Sequence, residues 1–426
     1  MVGAALSGTA AARLLSRLGY EVTVHDQNPA AVEALAGSGY RLDGGAWQPM
    51  LLDDVELTVV SPGVPEHADP IQDALGRGLP VWSEIELAAR HLDVPMAAVT
   101  GTNGKTTVTS VAAQMLADSG LRTAAVGNIG SPLCDAVGLQ WDALVVEASS
   151  FQLRFTHDFR ANVAVILNVA PDHLDWHGSF EAYADAKAMI FRNHTASDVV
   201  IYDIEDHWAS ELVSRAPSRR IPISGRKRSA GGGPEGGKLW IGDASVDLTL
   251  LSETDPAFLV DLVAAGVAGL ELGAAPEAVA EVVAGFRPGP HRRRRVGSWA
   301  GVSWINDSKA TNPHAAVASA AAYGSVVLIA GGRNKGLDIV PLAKAPTLRH
   351  LVAIGESGPE LVGAAGRDRA TLAADMEEAV AIADEIARPG DVVLLAPGCA
   401  SFDMFASYEE RGVAFTTAVL RRKEPT

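Results

Sequence analysis

Only two cysteines, Cys134 and Cys399, occur in the 426 residues, and they are far apart, with no Cys-x-x-Cys spacing. That excludes a disulfide framework and a thiolate zinc site, and leaves two buried thiols in a reducing compartment as the expectation. No apolar run reaches the roughly 20 residues that a membrane-crossing helix needs, so no membrane association is expected. The opening stretch "MVGAALSGTAAARLL" lacks a basic segment, which argues against a signal peptide and for a cytoplasmic protein. Positive charge is scarce too: 35 Lys and Arg stand against 51 Asp and Glu, a formal net charge of −16. Such a chain gains nothing from a polyanion, so nucleic acid is not an expected partner. Any bound phosphate must be held by local groups.

What is present reads as α/β. A chain of this length exceeds one core of roughly 250–300 residues, so two or three domains are expected. Near the start, a helical pattern from Gly8 to Leu18 is followed by the strand-like "YEVTVHD" ending in Asp26. Gly3, Gly8 and Asp26 suit a dinucleotide-type turn, but the strand before Gly3 is only Met1-Val2. From Val94 onward, strands alternate with helices and run into polar loops, which implies a mostly parallel sheet with ligands beyond the carboxyl ends of its strands. "SGRKRSAGGGPEGGKLWIGDASVDL" reads as a solvated, mobile surface hairpin. "FRPGPHRRRR" suits a domain joint.

The stretch "AVTGTNGKTT", Ala98 to Thr107, carries the strongest chemical signal. A general phosphate loop has Gly, four residues, then Gly-Lys-Ser/Thr. Here position 99 is Val99 and the nearest glycine is Gly101, so the loop is shorter. Its backbone N–H groups and the following helix N-terminus suit phosphate, Lys105 suits β/γ-phosphate charge, and the Thr106 hydroxyl suits Mg²⁺. Glu147 closes the strand "ALVVE", where a second magnesium ligand is expected, although many strands end in an acid. "NVAPDHLDWHG" gathers Asn168, Asp172, His173, Asp175 and His177: either oxygen and imidazole donors for Mg²⁺ or Mn²⁺, or a solvated polar loop. Lys187 lies on a helix and by itself reads as a solvated face. "NDSKATNPHA" places Asp307, Lys309, Thr311 and Asn312 at a strand end, "GGRNKG" adds Lys335 and "CASFDMF" adds Ser401. Three such loops suggest a pocket for a small polar ligand. Most of the arginines from Arg292 to Arg295 read as a solvated basic joint.

Together "GTNGKTT", "GNIGSPL", "EASSFQL", "NVAPDHLDWHG", "PHR", "NDSKATNPHA" and "LAPGCASFDMFASYEERG" resemble the Mur ligases and folylpolyglutamate synthases, and within that group the D-glutamate-adding members. The resemblance covers nearly the whole chain. It implies three α/β domains: a Rossmann-like UDP-substrate-binding domain over 1–92 with its first strand cut short, a central P-loop ATPase-like domain with a mostly parallel sheet over 93–286, and a Rossmann-like D-glutamate-binding domain over 287–426. It implies an ATP-dependent ligase that joins D-glutamate to UDP-N-acetylmuramoyl-L-alanine through an acyl phosphate, with two Mg²⁺ ions (Mn²⁺ as a substitute), acting as a monomer on small molecules alone.

The same resemblance implies roles. Gly101, Thr102, Asn103, Gly104, Lys105, Thr106 and Thr107 would cradle phosphate. Thr106 and Glu147 would hold one Mg²⁺, and His173 and Lys187 the other, with Lys187 carbamylated by CO₂; Lys105, His173 and Lys187 would be catalytic. Leu6, Ser7, Gln27, Asn28 and Gly63 would meet the UDP end, and Asn128 and Gln152 the sugar and alanyl end. Arg292, Asp307 and Lys309 would face the nucleotide. Thr311, Lys335, Ser401, Phe402 and Tyr408 would receive D-glutamate. The chain departs from the pattern where many members carry His-Asn-x-x-Asn: the run Ala257 to Asp261 offers only Asp261 as a polar contact. Asn28 stands where a basic residue often meets uracil. Another ligase of the group, or an ATP-binding protein without ligase activity, are the alternatives.

Overall fold

Short β-branched strands alternating with helices build three largely parallel sheets in the computed structural model, which describes residues 1–423. In the N-terminal part, Thr23–Asp26 pairs with Arg41–Gly44 and Thr58–Val60 with Val81–Ser83, all parallel. The Met1-Val2 stub joins the two pairs. Val2 bridges both His25 and Val60, its N–H donating to Val59 O at 2.8 Å while His25 N–H donates to Met1 O at 2.9 Å. Two residues suffice because each edge of the stub finds a partner. The turn after it is tight: a Cβ on Gly8 would lie 1.9 Å from Gly3 O. Asp26 closes that turn, accepting from Ala4 N–H at 2.7 Å and Asn28 N–H at 2.8 Å.

The central sheet has nine strands. It runs parallel from Ala125–Gly127 through Leu144–Glu147, Met96–Thr100, Val163–Ile166, Val199–Asp203 and Arg219–Ile223 to Gly232–Glu235. Lys238–Ile241 and Ala244–Asp247 then add antiparallel. Met96–Thr100 is buried along its whole length, as a strand covered on both faces must be. Helices Lys105–Asp118 and Pro256–Glu271 share one core on one side of this sheet.

The glycine-rich stretch differs from expectation. It forms a hairpin, but Gly231, Gly232, Gly233, Leu239, Ile241 and Val246 are buried, so it extends the sheet rather than waving in solvent. The glycines are there for close approach: a Cβ on Gly233 would lie 2.0 Å from Lys227 O.

By contacts the chain divides into two units. The first comprises Met1–Val169 and Trp176–Phe286 and holds the N-terminal and central sheets; the second comprises Ala170–Asp175 and Arg287–Thr426. The second unit has a six-stranded sheet in the order Arg294–Trp299, Val302–Asn306, Val392–Leu395, Val326–Gly331, Leu348–Ile354, Ala370–Leu372. All its pairings are parallel except the first. Among the described residues no helix is long and apolar enough to cross a membrane.

One buried acid marks the seam between the first two sheets. Glu84 is fully buried; Cys134 N–H donates to its Oε1 at 2.5 Å, and its Oε2 has no partner among the described residues. Burial pushes its carboxyl from 4.5 up to about 7. The folded state therefore holds this proton more tightly than the unfolded chain. The stability it contributes is complete below the unfolded pKa and is lost as pH rises through about 7. The neutral variant Glu84→Gln keeps the acceptor and should remove this loss, on the order of 2 kcal/mol between pH 5 and pH 8. Urea unfolding of both proteins at the two pH values checks this; identical pH dependence in variant and parent would count against it.

Candidate functional site

In the first unit, the strand Met96–Thr100 ends at the loop Gly101–Gly104, which opens directly into the helix Lys105–Asp118. Gly104 takes φ 88°, and a Cβ there would come within 2.3 Å of Asp261 Oδ1. Only glycine satisfies both constraints. On the other side Asn168, at the end of the next strand, braces the loop. Its carbonyl accepts from Thr102 N–H at 2.9 Å and its Oδ1 from Asn103 N–H at 2.8 Å, while its Nδ2 donates to Asn103 O at 3.2 Å. The Thr102 hydroxyl lies 2.9 Å from the Tyr183 hydroxyl. Lys105 Nζ folds back to donate to Gly101 O at 2.8 Å and Thr102 O at 3.1 Å. Thr106 and Thr107 sit half-buried in the first helical turn. A preformed, braced glycine loop opening into a helix N-terminus, with a lysine beside it, constitutes an anion site.

The neighbouring strand brings Glu147 into register with Val99. Asn128 Nδ2 donates to Glu147 Oε1 at 2.9 Å, and the buried Oε2 has no partner among the described residues. A buried carboxylate oxygen left unsatisfied needs a cation or donor. Gln152 forms a reciprocal capping box with Ser149, and its buried Nε2 is likewise unpartnered.

Lys187 corrects its face-value reading as a solvated lysine. It is 1% exposed, donates to Gly101 O at 2.9 Å, and stands 4.5 Å from the centre of the Tyr183 ring. The helix Phe180–Ala188 thus turns Tyr183 and Lys187, one turn apart, onto the phosphate loop. The strand signal could not reveal this; a tyrosine four residues before the lysine on one helical face was the available clue. His177 packs against Phe151 at 5.5 Å and sits 3.0 Å from Ser150 Oγ.

Leu6, Ser7, Gln27, Asn28 and Gly63 all follow strands of the N-terminal sheet at their carboxyl ends. Leu6 is 64% exposed, and Asn28 caps the helix Pro29–Glu33 through Ala30 N–H at 3.2 Å.

In the second unit three loops leave the carboxyl ends of adjacent strands. They carry Asp307, Lys309 and Thr311; Lys335; and Ser401 and Phe402. Asp307 accepts from Arg293 N–H at 3.1 Å, and burial pushes its carboxyl up, against the pull of the Arg293 charge. Arg293 is therefore part of this loop's structure rather than of a solvated joint, while Arg294 and Arg295 are exposed on their strand. Lys309 Nζ stands 5.3 Å over the Tyr408 ring. Asp172 joins this unit: Lys335 Nζ is 3.5 Å from its Oδ1, and Asn312 Nδ2 donates to its Oδ2 at 3.2 Å. His173 beside it takes φ 53°, a strained value for a non-glycine residue. His173 belongs to the second unit and Lys187 to the first. Ser401 is buried and Phe402 is 65% exposed. Sequence reasoning grouped Asn168 and Asp172 with metal donors; the structure uses them as a loop brace and a lysine partner.

No group of three or more His, Cys, Asp or Glu clusters as a metal cage among the described residues. The unsatisfied Glu147 oxygen still fits a magnesium ion that takes its other ligands from phosphate and water. The Lys187 ammonium does not fit a cation; only its carbamate would.

The model of the Mur ligase middle domain matches residues 99–230, that of the Mur ligase glutamate ligase domain 291–399, and that of the MurD-like N-terminal domain 1–83. The chain is 42% identical to the UDP-N-acetylmuramoylalanine--D-glutamate ligase of Frankia casuarinae, over 99% of this chain and 94% of that protein. It is 38% identical to the protein of the same name from Pelotomaculum thermopropionicum, over 100% and 97%. Among solved structures, a pseudomurein peptide ligase type C from Methanothermus fervidus superposes with TM-score 0.61 at 17% identity, covering 99% of this chain and 98% of that one. A MurF ligase from Thermotoga maritima in complex with ADP gives 0.60 at 17%, covering 87% and 97%.

The Asn168 brace should matter to nucleotide binding more than to folding. Asn168→Ala removes two side-chain bonds to Asn103 and should weaken ATP binding about tenfold. Calorimetric titration with ATP reads this, and unchanged affinity would show that the brace is dispensable.

Proposed function

This chain belongs to the Mur ligase family, and from that membership together with the preformed phosphate loop we infer how its residues divide the work. The enzyme is an ATP-dependent, ADP-forming ligase that adds D-glutamate to UDP-N-acetylmuramoyl-L-alanine in peptidoglycan precursor synthesis. The observation that carries the site assignment is the loop Gly101–Gly104 with the unsatisfied Glu147 oxygen on the adjacent strand.

The reaction has two stages. The alanyl carboxylate attacks the γ-phosphorus of ATP, the bond to the bridging oxygen breaks, and ADP leaves. The resulting acyl phosphate is attacked at its carbonyl carbon by the amine of D-glutamate. A tetrahedral intermediate collapses, inorganic phosphate departs with the former carboxylate oxygen, and the amine loses a proton. In both stages anions must be brought together, so fixed positive charge and aligned donors do most of the catalysis. The amides of Gly104 to Thr107 and the Lys105 ammonium hold the phosphates in line, on a loop whose Thr102 and Asn103 amides are tied to Asn168. Lys105 rests on loop carbonyls, so its charge is already aimed at the loop. Asn128 and Gln152 orient the alanyl end; the unpartnered Gln152 Nε2 is a ready donor.

Magnesium, held through Thr106 and Glu147 and, for a second ion, through His173 and carbamylated Lys187, would supply charge neutralisation between carboxylate and triphosphate. The carbamate would replace an ammonium, which repels the ion, by an anionic oxygen donor.

Leu6, Ser7, Gln27, Asn28 and Gly63 are assigned to the UDP end. In the second unit Arg292, Asp307 and Lys309 are assigned to the nucleotide. Thr311, Lys335, Ser401, Phe402 and Tyr408 are assigned to D-glutamate, whose two carboxylates suit a lysine, hydroxyls and loop amides. We take residues 1–92, 93–286 and 287–426 as the three working domains, of a cytoplasmic monomer that meets neither membrane nor nucleic acid.

Two experiments test this. Release of ADP and phosphate should require both UDP-N-acetylmuramoyl-L-alanine and D-glutamate; better turnover with L-glutamate would defeat the assignment, and nucleotide binding without turnover would mean a binding protein that has lost ligase activity. Lys187→Ala should lower turnover on the order of 100-fold or more. Bicarbonate should not restore it, whereas short carboxylic acids should in part; normal activity would remove the carbamate.

A further inference from the structure

Arg411 sits in the first turn of the helix Tyr408–Lys423 and is 1% exposed. Both facts are unfavourable for a cation. A positive charge at a helix N-terminus opposes the helix dipole, and a buried guanidinium loses its hydration. Burial brings its pKa down to about 10, so it remains charged at neutral pH. Among the described residues its three hydrogen bonds all end on uncharged oxygens: Nε on Ser308 Oγ at 3.0 Å, Nη2 on Ser308 O at 2.9 Å and Nη1 on Cys399 O at 3.1 Å. Asp403 opposes the charge only through space.

Those acceptors belong to two different loops. Ser308 lies between Asp307 and Lys309, and Cys399 lies two residues before Ser401. Gly398 N–H donating to Ala310 O at 2.8 Å is a further tie between them. The loop of Lys335 is tied to the same place. Arg333 and Ala400 exchange both backbone bonds at 3.0 Å, and Ser357 Oγ donates to Gly332 O at 2.7 Å. One guanidinium thus bonds two of the three loops at the carboxyl end of this sheet, and the third is tied to Ala400, next to its Cys399 acceptor.

We propose that Arg411 is a positioning residue: its planar fork holds the Ser308 and Cys399 loops in register, so that Thr311, Lys335 and Ser401 present a single pocket to the acidic amino-acid substrate. The inference rests on the assignment of these loops to D-glutamate made above. Its buried charge, with no carboxylate hydrogen-bonded to it among the described residues, also favours an anionic ligand over a neutral one in that pocket. Lysine cannot take its place, because one ammonium cannot meet three acceptors spread along the edge of a plane.

Steady-state kinetics of Arg411→Lys test it. The KM for D-glutamate should rise about tenfold or more while the KM for the UDP-linked substrate, whose assigned residues lie in the first unit, stays within about twofold. An unchanged D-glutamate KM, or an equal rise in the KM for the UDP-linked substrate, overturns the proposal. Should Arg411→Lys fail to give a native circular dichroism spectrum, Ser308→Ala decides. It keeps the arginine and removes only the Oγ acceptor, and should raise the D-glutamate KM about threefold; no rise overturns the proposal. Parent and variants are compared with whichever amino acid supports turnover in the parent. A parent that prefers another amino acid refutes the substrate assignment, while the ratio between variant and parent still judges Arg411.

Discussion

A triphosphate brings several negative charges to a chain whose own formal net charge is −16. Bulk electrostatics oppose that encounter, so the attraction must be local and already in place. This requirement explains the loop Gly101–Gly104. Its amides are held by Asn168 on one side, its last glycine is pressed against Asp261 on the other, and a 14-residue helix starts immediately behind it. The parallel order of the central sheet then delivers Glu147 beside it, because neighbouring parallel strands end on the same side. Each of these parts depends on the others: without the sheet order the loop would have no carboxylate partner, and without the loop the buried Glu147 oxygen would be an uncompensated cost.

Polar groups buried without full partners recur where chemistry is expected. Among the described residues Glu147 Oε2 and Gln152 Nε2 have no partner, and the hydrogen bonds of Arg411 end on uncharged acceptors. Each lowers the stability of the isolated protein. Substrates and metal that supply the missing partners would recover that free energy on binding, which ties affinity to the same atoms that make the fold costly. Glu84 is a different case. It is buried at a seam against Cys134, away from the phosphate loop, and its cost varies with pH.

The site was legible in the sequence wherever function depends on local geometry. Gly-x-x-Gly-Lys-Thr after an apolar strand reads directly as strand, loop and helix, because the turn requires those glycines within a few residues. The strand-end acids Glu147 and Asp307 were also visible, since a strand's carboxyl end is a local feature. Residues acting across the sequence were not. Asn168 lies 65 residues from the loop it braces, Lys187 lies 86 residues from the carbonyl it meets, and Arg411 lies 103 residues from Ser308. Taken alone each is an ordinary polar side chain, and for Lys187 only family resemblance suggested otherwise. The glycine-rich stretch 224–248 misled because glycine serves mobile turns and close backbone approach alike, and only the facing strand tells them apart.

By itself, then, the amino-acid sequence determined the α/β alternation, the phosphate loop and the family, because periodicity and glycine spacing are properties of neighbours in the chain. Tertiary structure alone decided which strand lies beside which, and so which loops share an end of a sheet. It also decided the burial of Lys187 and Arg411 and the grouping of Asp172 with Lys335 rather than with the central sheet. These are matters of packing between distant segments, where the loss of water around a charge, rather than any local propensity, sets what that charge must do.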